Sequence, residues 1–232
     1  MMMRIAMWSG PRNLSTAMMY SFGARADFAV TDEPFYAAYL AASGSDHPMR
    51  TATLDSQPND SADVAAACAG PIPGGRTHWY QKHMPHHMDV DFPLDWANGF
   101  THVHLIRHPA RVIASYRAKR ANPTIDDLGY AQCLKFYQRF PGPVIDSTDI
   151  RADPEGMLRK LCTEIGLTWD AAMLHWPAGG RTEDGAWAPH WYGAVHRSTG
   201  FATAEGPIPN ENGTLLDAAL PMYQEMAARR IT

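Results

Sequence analysis

Apolar residues gather at Ile5-Ala6-Met7-Trp8, stop at Ser9-Gly10-Pro11, and resume at Leu14 in a proline-free stretch reaching about Ala24. This pattern predicts a short buried strand from Arg4, a tight turn, and a helix closed near Gly23. Phe28-Ala29-Val30 predicts a second strand, Thr77–Met84 a third, Thr101–Ile106 a central fourth, and Val144-Ile145 a short last one. Helical spacing covers Asp63–Ala69, Ala110–Arg120 with Pro109 in its first turn, Ile125–Phe140, and Leu215–Arg230. A further helix opens at Asp153-Pro154-Glu155, which offers a cap, an N1 proline and an early acid. Residues 43–63 are rich in Ser, Asp, Pro, Gly and Thr and read as a loop or lid, while Trp176–Pro209 is rich in Gly, Trp, His and Pro with weak periodicity. Strands alternating with helices predict an α/β fold, with a mostly parallel central sheet flanked by helices, over residues 1–232 as one domain.

Composition narrows the function classes. The chain has 232 residues, 45% hydrophobic and 19% charged, which suits a globular core. A net charge of −4 argues against nucleic-acid or anionic-membrane binding, so any anion site must be local. Cys68, Cys133 and Cys162 are scattered and odd in number, as expected of reduced thiols rather than a disulfide frame or a zinc site. No apolar run reaches membrane-spanning length and no apolar leader precedes Arg4, so the expectation is a cytoplasmic protein.

Two segments carry anion chemistry. Gly10, Pro11, Arg12, Asn13, Leu14, Ser15 and Thr16 join the first strand to its helix, placing one cation three residues before a hydroxyl pair. Backbone N–H groups at a helix start, hydroxyl donors and a guanidinium together form an anion cradle. Downstream, Leu105-Ile106-Arg107-His108-Pro109 ends a strand, and Ser115 follows about two helical turns later. Both Arg107 and Ser115 reach one phosphate if strand end and helix flank the same crevice. Two such sites suggest a ligand with two separated phosphate-like groups. Arg111 is expected on the solvated helix face.

These residues resemble the sulfotransferase family that uses 3′-phosphoadenosine-5′-phosphosulfate (PAPS), a branch of the three-layer P-loop fold. Pro11-Arg12-Asn13-Leu14-Ser15-Thr16 matches the family's phosphosulfate loop at the proline, the cation and both hydroxyls, and departs at Asn13 and Leu14, where Ser-Gly is usual. Arg107-His108-Pro109 with Ser115 is similar to the segment that holds the 3′-phosphate, with His108 replacing Asn or Asp. The resemblance implies sulfuryl transfer from PAPS to a hydroxyl or amine of a small-molecule acceptor, leaving 3′-phosphoadenosine-5′-phosphate (PAP) as product. It assigns charge stabilisation to Arg12 and, through a Lys-x-His-Leu-Pro segment shortened here to Lys82-His83-Met84-Pro85, proton abstraction to His83. His86, His87 and Glu33 are rival bases, since a neutral imidazole or a carboxylate accepts a proton near pH 7. Arg197, in a basic glycine-bearing loop, is the further candidate for the 3′-phosphate. No metal is expected. Two other readings stand beside this one: a P-loop phosphotransferase or NTPase, disfavoured because Gly-Lys-Ser/Thr is missing, and a non-catalytic nucleotide-binding module. The residues leave the acceptor and the oligomeric state open.

Overall fold

A computed structural model describes residues 2–88, 91–118 and 122–232. Five strands, β1 (Arg4–Ser9), β2 (Phe28–Asp32), β3 (His78–His83), β4 (Thr101–Ile106) and β5 (Val144–Asp146), form one sheet in the order β2-β3-β1-β4-β5. Every pairing is parallel. The register sets Trp8 opposite both His83 and His104, Asp32 opposite Lys82, and Ile106 opposite Asp146. The carboxyl ends of all five strands therefore share one edge. From β1 the chain goes to β2 at the edge, returns to fill β3 between them, and then crosses β1 to β4 and β5, so the order reverses at β1. A crevice outside the strand ends at such a reversal is where open α/β sheets bind ligands.

Alternation along β1 separates two cores. Ile5 and Met7 pack with Met18, Met19 and Phe22 of α1 (Ser15–Gly23) and, across the same face, with Leu158 and Leu161 of α9. Ala6 and Trp8 face the opposite way, onto Phe35, Val64, Trp96, Phe136 and Phe140. The remaining helices are α2 (Tyr36–Ser43), α3 (Arg50–Ser56), α4 (Ser61–Ala69), α5 (Pro109–Arg117), α6 (Ile125–Leu128), α7 (Tyr130–Arg139), α8 (Ser147–Ala152), α9 (Pro154–Glu164), α10 (Ala188–Trp191), α11 (Gly193–His196) and α12 (Thr214–Ala227). No helix among the described residues is long and apolar enough to cross a membrane.

Three expectations need adjustment. The 43–63 stretch contains α3 and the first turn of α4 rather than a continuous loop, because Thr53 is fully buried and Asp60 caps α4 through the amides of Ala62 and Asp63. The helix expected over 125–140 divides at Gly129, whose φ of 71° ends α6 in the left-handed region. A side chain there would lie 3.3 Å from Nδ1 of His86, so glycine suits both the turn and the close approach. The helix from Pro109 is described to Arg117, and the expected end at Arg120 lies outside the described residues.

The Trp8 face also takes in histidines, and here a predicted catalytic group is corrected. Lys82 and His83 are neighbours in a strand, so they point to opposite faces. His83 faces the apolar side, 4.9 Å from Trp8 and 4.8 Å from Trp96 between ring centres, and its Nε2 donates to Gln81 Oε1 at 3.1 Å. Burial holds its pKa down at about 3. His104 is similarly enclosed: Nε2 donates to Phe140 O at 2.8 Å, Nδ1 is buried without a partner, and burial lowers its pKa to about 4. Both imidazoles have folded pKa values below the ordinary 6.5, so beneath that pH the unfolded chain binds more protons than the folded one. Their stabilising contribution is complete above about pH 6.5 and is lost progressively as pH falls toward about 4. The unfolding free energy from urea titrations is expected to drop between about pH 6.5 and 5, by on the order of 1–2 kcal/mol per imidazole. The same titration of His104→Gln should be shallower; an equal slope in variant and parent refutes the assignment.

Candidate functional site

The turn between β1 and α1 is shaped by two left-handed residues that are not glycine, Arg12 (φ 63°) and Leu14 (φ 76°). Such conformations persist where the surroundings impose them. Asn13 supplies part of that constraint, since its buried amide donates to Leu105 O of β4 at 3.3 Å. Gly10 is the other tight point, with space for a Cβ limited to 3.2 Å from both Asn13 and Leu128 O. Leu14 is the N-cap of α1 and has no polar side chain to satisfy the helix's first amides. Pro11 through Ala17 instead line a cavity of about 360 Å³.

Arg107 and Ser115 lie on the same wall. Arg107 Nη1 donates to Arg12 O at 2.7 Å, and Arg12 Nε donates to Ser115 Oγ at 3.0 Å. The two segments singled out in the sequence are thus stitched together. His108, at the position where Asn or Asp is usual, still caps α5: its Nδ1 accepts from Ala110 N at 3.2 Å. Burial, and then the nearby Arg107 charge, lower the pKa of the Arg12 guanidinium. No carboxylate pairs with Arg12 among the described residues. Arg107 pairs with Glu205, yet its Nε is buried without a hydrogen-bond partner among the described residues. This wall carries more positive than negative charge.

A buried ionic cluster adjoins the cradle at Thr16. Lys82, fully enclosed, donates to Asp32 Oδ1 at 2.9 Å, Glu33 Oε1 at 2.7 Å, Tyr192 Oη at 2.6 Å and Thr16 Oγ1 at 3.3 Å. Tyr192 in turn donates to Asp32 and accepts from Trp187 Nε1 at 2.8 Å. Burial lowers the Lys82 pKa, but Asp32 and Glu33 outweigh it and the net shift is upward, so the ammonium stays charged. Burial, reinforced by Asp32 and opposed by Lys82, raises the Glu33 carboxyl. Burial and neighbouring imidazoles push His87 well below the usual range, leaving it neutral. His87 stacks on Tyr36, ring centres 4.2 Å apart, with Nδ1 3.7 Å from Glu33 Oε2.

Of the predicted site residues, Pro11, Arg12, Asn13, Leu14, Ser15, Thr16, Arg107 and Ser115 line the cavity, as do the rival bases Glu33, His86 and His87. Two do not. His83 is in the Trp8 core, and the position two residues beyond Lys82, on its face of the strand, is Met84, which lines the cavity. Arg197 is exposed and off the wall; its guanidinium approaches Gly193. Arg111 is tied down rather than solvated, with Nε 3.0 Å from Glu205 Oε2. Lys82 and Arg151 are the site residues the sequence reading missed. Strand parity was the signal for Lys82: the residue beside His83 must point the other way. Arg151 follows β5 closely, at the sheet edge where ligands bind. The aromatic segment after 176 contributes Trp187, Trp191 and Tyr192 to the lining.

The model of a family described as "Sulfotransferase domain" matches residues 3–230. Two proteins of Arabidopsis thaliana, branched-chain-amino-acid aminotransferase-like proteins 1 and 2, are 36% and 34% identical over 225 residues, 93% of this chain. The chain spans 40% of the length of these curated relatives. Among solved structures, the sulfotransferase domain from the curacin biosynthetic pathway is similar in fold, with a TM-score of 0.51 and 13% identity over 97% of this chain and 92% of that one. The sulfotransferase domain of the Synechococcus PCC 7002 olefin synthase gives 0.50 and 15%, over 97% and 94%. The parallel sheet, the strand-end cradle and a family match along almost the whole chain lead to one conclusion: this protein belongs to the sulfotransferase-domain family.

Proposed function

We propose that the protein transfers a sulfuryl group from PAPS to a hydroxyl, or an amine, of a small-molecule acceptor. The observation that carries this reading is the joining of Arg12, Arg107 and Ser115 in one cavity wall. A cation-rich wall with a buried, unpartnered Arg107 Nε fits a polyanionic donor. PAPS supplies a sulfuryl group on a phosphosulfate anhydride and a 3′-phosphate that serves as a handle. Ser15, Thr16 and the open amides of α1 hold the phosphosulfate end, and Arg107 and Ser115 the 3′-phosphate. Arg12 and Lys82 stabilise negative charge at the departing oxygen; Lys82 is already fixed on Thr16 at 3.3 Å.

Proton abstraction passes from His83 to Glu33. His83 is enclosed on the wrong face and nearly devoid of basicity, while Glu33 lines the cavity with a raised pKa. His87 is held neutral beside it and orients the acceptor's hydroxyl. Tyr36, Met84, Trp187 and Trp191 give the remaining wall an apolar, aromatic character suited to excluding water from the transfer. One observation favours binding without chemistry, the reading weighed beside this one: the residue just past β3 that lines the cavity is Met84, whose side chain cannot accept a proton at neutral pH.

Calorimetry checks the donor. PAP should bind at least about tenfold more tightly than adenosine monophosphate, and Arg107→Ala should remove most of that preference. Equal affinities for the two nucleotides sink the proposal. A rate assay with labelled PAPS and a panel of phenols, alcohols and amines checks the base. Glu33→Gln should lower kcat by roughly 10²–10⁴ while leaving PAP affinity within about twofold, and His87→Asn should do less. A base works only when deprotonated, so the parent rate should fall as pH drops through a Glu33 pKa above the ordinary 4.5. That limb should vanish in Glu33→Gln; its survival assigns the proton to another group, and tight PAP binding with no transfer anywhere leaves a binding module.

A further inference from the structure

Between α11 and α12 the chain crosses the strand-end edge with neither helix nor strand over 201–213. This strap is held almost entirely by arginines. Arg151 Nε donates to Thr203 O at 2.9 Å, Arg111 Nη2 donates to Gly206 O at 2.6 Å, and Arg117 pairs with Glu211 at 2.5 Å. At its centre the Glu205 carboxylate, only 2% exposed, is ringed by cations from three elements. Arg107 from the end of β4 pairs with Oε1, Arg151 of α8 with the same oxygen at 2.9 Å, and Arg111 of α5 with Oε2 at 3.0 Å. Thr148 Oγ1 donates to Oε2 at 2.8 Å.

The donor set is richer than one carboxylate needs. Three guanidinium groups and a hydroxyl face a single negative charge with two oxygens. A phosphate carries close to two negative charges and three acceptor oxygens, and matches such a cluster better. The mismatch has a visible trace, because Arg107 Nε remains buried and unmet beside the carboxylate. Arg107 and Arg151 are also cavity-lining residues, so the cluster opens onto the proposed donor site.

We propose that Glu205 is an internal competitor for the donor's 3′-phosphate, a specificity determinant that occupies the arginine cluster until that phosphate displaces it and the 203–211 strap lifts. The inference rests on the PAPS reading above. Apparent donor affinity is then reduced by the fraction of molecules in which the strap is down, whereas a nucleotide lacking the 3′-phosphate has no means to displace it. A purely structural Glu205, present to hold the arginines in place, gives the opposite result on removal.

Titration of PAP and adenosine monophosphate into the full chain, its Glu205→Gln variant and its Glu205→Ala variant separates these possibilities. Removing the charge should tighten PAP binding by about tenfold and leave adenosine monophosphate within about twofold. Amide hydrogen exchange gives a readout that needs no variant: PAP, but not adenosine monophosphate, should speed exchange over 203–211 in the parent protein. Unchanged or weaker PAP binding in both variants, or unchanged exchange on PAP binding, overturns the competitor role while the donor reading survives. PAP bound no better than adenosine monophosphate by parent and variants alike removes the donor reading itself, and this inference with it.

Discussion

The site depends on one arrangement: two guanidinium groups, Arg12 and Arg107, held against each other at the sheet edge through Arg12's carbonyl and Ser115. Neighbouring like charges with restricted access to water are unfavourable unless an anion answers them. The fold imposes the arrangement regardless. Parallel register fixes where β1 and β4 end, Asn13 anchors the turn to β4, and left-handed Arg12 and Leu14 complete the bend. The electrostatic cost of this geometry makes an anionic ligand its natural complement, and Glu205 supplies an internal one.

The Lys82 cluster solves the reverse problem. Asp32 and Glu33 end β2 side by side and buried, which two carboxylates tolerate only with a cation between them. Lys82, opposite Asp32 in the register, is that cation, and Tyr192 adds a hydroxyl linking the cluster to the aromatic segment. Desolvation and charge pairing act oppositely on each member: Lys82 is kept charged while Glu33 is pushed toward protonation. One part of the lining is rich in cations and another holds Glu33 with its raised carboxyl, so the cavity carries separate groups for binding an anion and for exchanging a proton.

Family membership and function are separate statements here. The family model and the solved sulfotransferase domains agree on the architecture, and an architecture by itself hosts many chemistries. The plant relatives bear an aminotransferase-like name and are much longer than this chain, so that name says nothing about the part they share with it. What bears on activity is the side-chain geometry, in which Met84, just past β3, and Glu33, just past β2, both line the cavity.

Local sequence determined a great deal. Apolar runs marked β1, β2, β4 and β5 within a residue or two, as a doubly covered parallel sheet favours, whereas β3, legible at nearly the same positions, carries buried Gln81, Lys82 and His83. Pro11 through Thr16, Arg107 and Ser115 were recognisable because turn, cation and hydroxyl must sit at fixed spacings along the chain. His83 shows where motif matching gave way to simpler physics: allowing a one-residue deletion moved the assigned base across the sheet, although strand alternation already opposed it. Gly129 shows the same at a helix, where a break invisible to apolar spacing follows from a left-handed glycine packed on His86. Only the tertiary structure decided the rest. Lys82 met Asp32, Glu33 and Tyr192, and Arg107 met Arg111, Arg151 and Glu205, because strand register and the return of a distant strap brought together residues far apart in sequence. Such contacts leave no periodic trace in the chain, since each partner sits on a different element and its position is fixed by packing rather than by spacing.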